Sequence, residues 1–292
     1  FIYTQAASLN REYSIRLPAG RTEMRVMKQF SEVRGLIFDM DGVLWRGGKL
    51  LPGVRTTFSL LRARQIPFVL ATNNATQSFE EVRSRMDEAG VSIEQNEVLT
   101  SALGTAIHLK QHIPEGARVY AVGGTALHEA LEGAGFSVQD SSDDVAAVVV
   151  GMDWSLTWEK LAEASYALMA GAFFMGTNPD VSFPTERGLA PGNGAILAAL
   201  EAATGREAVI FGKPEPHLFV EALQRIGTPK THTVAVGDRL ETDILGGARA
   251  GLPTALVLTG VTTAEQVAQS DLQPDWVFEN LEELSRELAA VT

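Results

Sequence analysis

An α/β fold is the class this sequence predicts: a doubly wound, mainly parallel sheet with a second, smaller α/β domain inserted into it. Three observations predict it. Four short apolar runs each stop at polar residues able to carry chemistry. The ends of the first two, Asp39 and Thr72, are 33 residues apart, enough for one βαβ crossover and little else. Thr72 and Lys213 are 141 apart, enough for an inserted domain, and the intervening segment has its own strand–helix alternation.

The first run, residues 35–38, is bounded by turn-prone residues and suits a strand buried on both faces, which puts Asp39 at its carboxyl end. Open parallel sheets place ligands there. Two carboxylates two residues apart on a strand point to opposite faces, but a chain that turns after Asp39 brings Asp39 and Asp41 to one pocket, and Gly42 permits that turn. A calcium loop uses similar letters, yet here the glycine comes two positions early and Leu50 stands where a bidentate Glu belongs. Taken alone, the fragment also reads as a plain acidic turn.

The next run, 66–71, ends in Thr72, Asn73 and Asn74, where a hydroxyl and backbone N–H groups can hold a phosphate oxygen. A third, 209–211, reads as another buried strand and delivers Lys213, a compact point charge suited to a phosphoryl group, with Pro214 fixing the backbone behind it. The fourth, 233–237, ends in Asp238, with Asp243 opening a helical stretch over 244–250. An acidic first turn is also ordinary dipole chemistry, so Asp243 signifies little by itself.

Asp39, Asp238 and Asp243 converging without a counter-charge would repel one another, which a hard cation relieves; Mg²⁺ is the natural candidate. A carboxylate attacking a phosphate dianion meets the same repulsion, offset by Mg²⁺ and Lys213 while Thr72 and the Asn73 amide hold the equatorial oxygens. The expected product is an aspartyl-phosphate on Asp39, with Asp41 protonating the leaving alcohol and then activating water.

In this order the motifs Asp-x-Asp-Gly, Thr, Lys and Gly-Asp-x4-Asp resemble the haloacid-dehalogenase-like phosphatases over residues 35 to about 260. The stretches 39–47, 177–180 and 191–194, the last running on to 212–216, resemble its NagD-like branch, which includes p-nitrophenyl phosphatases, nucleotidases, phosphoglycolate phosphatases and pyridoxal phosphate phosphatases. The resemblance implies a Rossmann-like core, a nucleophilic Asp39, an acid/base Asp41, and Thr72 and Lys213 as phosphate holders, with Asn73, Gly42 and Asn178 also at the substrate. It places Mg²⁺ on the Asp39 carboxylate, the Asp41 carbonyl and Asp238, with Asp243 acting through water. It also implies a small phosphorylated metabolite as substrate and a homodimer formed through the cap.

Within the insert, 118–122, 145–150 and 172–176 read as strands, and 125–132, 157–169 and 193–203 as helices. The expected division is an N-terminal extension over 1–30 lacking order, a hydrolase core over 31–108 and 209–292, and an α/β cap over 109–208 that closes over the pocket and reads the substrate. The Pro and Gly of 111–116 suit a hinge. Residues 1–30 begin with Phe, carry five basic residues and show no apolar period; we expect Met24 or Met27 to be the true start and the preceding stretch an upstream artefact.

Composition excludes several classes. With 292 residues and 45% hydrophobic content the chain can bury one large core or two smaller ones. Without cysteine, disulfides and thiolate metal sites are ruled out, and a reducing cytoplasm is compatible. No apolar run reaches the ~20 residues that cross a bilayer, so a soluble, membrane-free protein is expected. A net charge of −12 argues against nucleic acid as a partner.

Other features have plainer readings. Gly123-Gly124-Thr125 is a tight strand-to-helix connection, Gly246-Gly247 marks close helix packing, and Trp154 and Trp158 belong to a core or an interface. His108 and His112 lie one helical turn apart, but without an acidic partner they read as a surface face. The segment 178–184 either descends to the active site or is a proline turn; Phe183 stands where some pyridoxal phosphate and phosphoglycolate phosphatases have histidine, which counts against those substrates. The alternatives to a phosphatase are a phosphometabolite-binding protein without turnover and a dehalogenase, which would need neither Asp41 nor the carboxylate cluster.

Overall fold

The computed structural model describes Met27 and residues 29–290. Most of the expected N-terminal extension, Met24 included, therefore lies outside the described residues. Met27 and Phe30 do not fit that expectation: both are buried, and Phe30 packs edge-on against Trp276 and Phe278.

From β1 (Gly35–Phe38) the chain passes through a small hairpin of β2 (Trp45–Arg46) and β3 (Lys49–Leu50) into α1 (Val54–Ala63), then β4 (Phe68–Thr72). Next come α2 (Phe79–Glu88), opened by a Ser78/Glu81 capping box, then β5 (Val98–Thr100) and α3 (Ser101–Leu109), capped by Thr100. Residues 101–109 carry an apolar period whose Ala102, Ala106 and Leu109 are all buried.

The inserted part contains β6 (Arg118–Val122), α4 (Thr125–Gly133), β7 (Ser137–Gln139), β8 (Ala147–Val150), α5 (Trp158–Met169) and β9 (Phe173–Gly176). An antiparallel hairpin of β10 (Ser182–Thr185) and β11 (Gly188–Pro191) leads into α6 (Asn193–Thr204), which Gly205 ends in the left-handed region, and then β12 (Val209–Ile210). After α7 (His217–Ile226) come β13 (Thr233–Gly237), a π turn over Leu240–Ile244, α8 (Leu245–Arg249), β14 (Thr254–Val257), α9 (Ala264–Gln269), β15 (Trp276–Phe278) and α10 (Leu281–Ala289).

Two parallel sheets result, ordered β15-β14-β13-β1-β4-β5 and β12-β9-β8-β6-β7. In the first, the chain leaves β1 toward β4 on one side and later returns to pair β13 on the other, so β1 and β13 flank the point where the strand order reverses. Leu36 and Phe38 enter the core under α1, α2 and α10, whereas Ile37 faces the opposite layer with α3 and α7. That two-sided burial is why β1 reads as a continuous apolar run. Val119, Ala147 and Val149 join α3 and α4 in the layer between the sheets, while Tyr120, Val122, Val148 and Val150 pack under α5 and α6.

One expected strand belongs elsewhere. Val209 and Ile210 were expected to open the returning core segment as a strand buried on both faces; they are half-buried and pair with Met175 and Gly176 at the edge of the second sheet. The return to the first sheet follows them, at Phe211 and Gly212. Two residues at a sheet edge carry too little period to reveal their partner. Gly123-Gly124 makes the expected strand-to-helix connection, and a Cβ on Gly247 would press on Ala235 and Thr254. No helix among the described residues is long and apolar enough to cross a membrane.

Candidate active site

Asp39 leaves β1 with its N–H still on Val236 of β13 at 2.8 Å, and there the chain turns. Gly42 makes the turn with φ +89°, donates its N–H to the Trp45 carbonyl at 2.8 Å, and has its own carbonyl held by the Thr259 hydroxyl at 2.6 Å. A side chain there would also collide with Asp238. Asp41 is turned outward, and its Oδ1 accepts from the Trp45 indole N–H at 2.9 Å.

Lys213 is the electrostatic centre. Its side chain is 2% exposed, and Nζ donates to Asp39 Oδ1 at 2.6 Å and to Asp243 Oδ1 at 2.8 Å. Asn73 holds this lysine by its backbone: Asn73 Oδ1 accepts the Lys213 N–H at 2.8 Å, and Asn73 Nδ2 donates to the Lys213 carbonyl at 2.9 Å. The same Nδ2 reaches Asp180 Oδ2 at 3.2 Å. Gly212 allows the close approach, since a Cβ there would meet both the Thr177 carbonyl and Asn73 Oδ1.

Asp238, at the end of β13, accepts the Val261 N–H on Oδ2 at 2.7 Å, whereas its buried Oδ1 has no partner. Asp243 receives the N–H groups of Asp238 and Arg239 on Oδ2 at 3.2 and 3.1 Å. One oxygen each from Asp39, Asp238 and Asp243 lies within 4.8 Å of the others. Burial, helped by Asp243 and Asp238, holds the Asp39 pKa well above its ordinary value despite Lys213. Asp238 is pushed up to about 6, first by burial and then by Asp243. Burial opposes the charge on Lys213, but Asp243 and Asp39 outweigh it and raise its pKa. Three carboxylates facing one lysine leave excess negative charge, and Asp238 keeps a buried oxygen without a hydrogen-bond partner, a combination that suits a hard divalent cation.

All nine residues that the sequence suggested, Asp39, Asp41, Gly42, Thr72, Asn73, Asn178, Lys213, Asp238 and Asp243, line one cavity of about 460 Å³. They are not equivalent there. The Thr72 hydroxyl accepts the Asn74 N–H at 3.0 Å. Asn178 turns its amide to the Asn73 carbonyl at 2.8 Å, as a brace between the two sheets' loops. The segment 178–184 takes the descending path: Asp180, Ser182 and Phe183 also line the cavity.

The candidate residues did not include Trp45, Arg46 and Arg239, which also stand on the cavity wall, and Trp154, expected in a core or an interface, is found at its edge. Trp154 is 70% exposed, lines the mouth, and meets Phe183 edge-on with centroids 5.5 Å apart; Trp158 is 73% exposed, so neither tryptophan lies in a core. An isolated aromatic ahead of a helix carries no signal for which surface it covers. Arg46 and Arg239 could have been suspected, since each lies within a few residues of a predicted carboxylate.

A family model described as haloacid dehalogenase-like hydrolase matches residues 36–137, and a second, HAD-hydrolase-like, matches 210–284. The chain is 39% identical over 262 residues to an acid sugar phosphatase of Staphylococcus aureus, covering 90% of this chain and 99% of that one. Its fold superposes on a p-nitrophenyl phosphatase from Archaeoglobus fulgidus with a TM-score of 0.82 at 32% identity, covering 87% and 98% of the two chains. A glycerol phosphate phosphatase from Mycobacterium tuberculosis, solved with magnesium, gives 0.81 at 37% identity over 88% and 78%.

Proposed function

The chain belongs to the haloacid-dehalogenase-like hydrolases, and on that premise we propose that it is a Mg²⁺-dependent phosphatase of the NagD-like branch, hydrolysing a small phosphorylated metabolite through an aspartyl-phosphate on Asp39. The observation that carries this reading is the position of Lys213 Nζ between Asp39 and Asp243, with Asp238 in the same cluster of carboxylates.

Asp39 Oδ attacks phosphorus and the ester oxygen leaves. Asp41 supplies the proton that oxygen needs, then takes one from the water that splits the acyl phosphate, which regenerates both carboxyl groups. The Trp45 indole holds one oxygen of Asp41 and leaves the other for this transfer. Lys213, Thr72 and the Asn73 N–H bind the phosphoryl oxygens. Asp39, Asp238 and Asp243, with the Asp41 carbonyl, would hold the magnesium, which when bound neutralises charge on the phosphoryl group.

For the leaving group we propose a sugar or polyol phosphate. A cavity of about 460 Å³ suits a single small metabolite, and the names of the Staphylococcus and Mycobacterium relatives point the same way. The 109–208 segment, as a cap, would supply Trp154 and Phe183 to the leaving-group side.

Phosphate release from a panel of sugar phosphates, glycerol phosphate, nucleoside monophosphates and p-nitrophenyl phosphate, in Mg²⁺ and in EDTA, tests the proposal. Release that needs the metal and disappears in Asp39→Asn is expected. Substantial turnover by that variant would remove Asp39 as nucleophile.

A further inference from the structure

The loop between β9 and β10 brings to the cavity wall a carboxylate that the hydrolysis itself does not use. Asp180 is set in place by its backbone: its N–H donates to Asn178 Oδ1 at 3.1 Å, and its carbonyl accepts the Gly194 N–H at 2.8 Å. Gly192 and Gly194 permit that approach, since a Cβ on the first would collide with the Asp180 carbonyl and one on the second with the Pro179 carbonyl. The side chain accepts from Asn73 Nδ2 on Oδ2 at 3.2 Å. Its other oxygen, Oδ1, accepts no hydrogen bond among the described residues, and Asp180 stands half-buried on the cavity wall.

Arg239 lines the same cavity from the first sheet. Extended backbone after β13 presents it, and Asp243 Oδ2 holds its N–H at 3.1 Å, but its guanidinium makes no hydrogen bond or ion pair among the described residues. Burial pushes the Asp180 pKa up while the Asn73 amide and Arg239 work against it, so the two charges sense each other without a direct ion pair. A ligand that meets both finds an acceptor in Asp180 and a donor in Arg239. An alcohol satisfies the two at once, because its hydroxyl donates through hydrogen and accepts on oxygen. A carboxylate or a second phosphate would be repelled by Asp180, and an ammonium by Arg239. The wall as a whole favours the same ligand: among the described residues five carboxylates stand against three cations, and one divalent ion cancels that difference. No positive charge is then left over for an anion beyond the phosphoryl group.

We propose that Asp180 and Arg239 are the specificity-determining pair that reads the hydroxyl groups of an uncharged polyol or sugar leaving group. The pair presupposes the phosphatase reading and narrows it: the phosphate is the only charged group of the substrate. Asn73 Nδ2, which holds Asp180, also donates to the Lys213 carbonyl at 2.9 Å, so the hydroxyl reader is fixed relative to the lysine that binds the phosphoryl group.

The test crosses a change in the enzyme with a change in the substrate. kcat and KM are measured in Mg²⁺ for glycerol phosphate, for propyl phosphate, which lacks both hydroxyls, for phosphoglycerate, which adds a carboxylate, and for p-nitrophenyl phosphate, in wild type, Asp180→Ala and Arg239→Gln. The wild type should favour glycerol phosphate over propyl phosphate by about ten- to a hundredfold in kcat/KM, chiefly through KM, and that ratio should fall about tenfold in each variant. Damage to the Asn73 brace would slow both esters alike and leave the ratio unchanged, so an unchanged ratio in both variants would overturn the pair. The Arg239 side chain braces no other residue, so Arg239→Gln decides the matter if Asp180→Ala does not fold. A wild type that prefers phosphoglycerate to glycerol phosphate would overturn the uncharged class. Release from p-nitrophenyl phosphate with no preference for the hydroxyls would remove this inference and leave the phosphatase standing, whereas no release from any ester would remove both.

Discussion

Replacing Lys213 by Met keeps the volume and the apolar stem but removes the charge that Asp39 and Asp243 share. The lysine is 2% exposed and its partners' side chains are 11% and 3% exposed, so solvent screens the pairs little. Removing one partner of a buried pair costs roughly 3–5 kcal/mol, because the other charge is left uncompensated. A cost of that size is expected here at pH 8 in EDTA, against a typical stability of roughly 5–15 kcal/mol, so the variant still folds. Its carboxylates can escape by taking up protons. The folded variant then binds more protons than the unfolded chain, so its stability falls as pH rises and the deficit shrinks toward pH 5. Mg²⁺ should restore part of it, since a cation at Asp39, Asp238 and Asp243 replaces the missing charge. Urea denaturation at pH 5 and pH 8, with and without Mg²⁺, reads all of this, and phosphate release should fall by roughly 10²–10³ in kcat. A loss below about 1 kcal/mol at pH 8 that does not change with pH or Mg²⁺ would refute the electrostatic account of the cluster.

Four further outcomes follow from the same geometry. In the metal-free protein the folded pKa of Asp238 is raised to about 6 from 3.8, so folded protein holds more protons through that window; stability should fall as pH rises from about 4 to 6, and Mg²⁺ affinity should rise, by titration calorimetry. Gly260→Ala would set a Cβ against the Asp238 carboxylate, and Mg²⁺ affinity should drop about tenfold or more while the fold persists by circular dichroism. Asn73→Ala strips the Lys213 N–H and carbonyl of their partners and should cost about 2–4 kcal/mol in urea denaturation, with a fall in kcat exceeding any change in KM. Trp154→Ala, at an exposed position, should leave stability within about 0.5 kcal/mol and raise KM for bulky phosphoesters; unchanged KM across the panel would remove Trp154 from the substrate path.

Much of the site was legible because its chemistry is concentrated at the ends of buried strands. Residues 35–38 and 233–237 are buried throughout and mainly apolar since both faces are covered, and such runs stop where the backbone emerges, which is where Asp39 and Asp238 stand. Val209 and Ile210 were misassigned because an edge strand of two residues pairs by tertiary context alone. That Trp154 stands at the cavity mouth was not legible for a related reason: its surroundings come from the 182–191 hairpin, some thirty residues away. The histidines illustrate the limit most directly. His108 and His112 announce a helical face, but nothing local to them foretells that His217, more than a hundred positions on, packs against His108.

The sequence by itself determined the fold class, the strand ends and the residue types gathered there, because hydrophobic period and turn chemistry are local properties of the chain. Only the tertiary structure decided that Asn73 and Asn178 brace backbone, that one lysine serves two carboxylates while Asp238 keeps an oxygen free, and which walls close the cavity. Those are distances between segments separated by thirty to more than a hundred and seventy residues, set by how β1 and β13 lie side by side and by what the second sheet lowers over them.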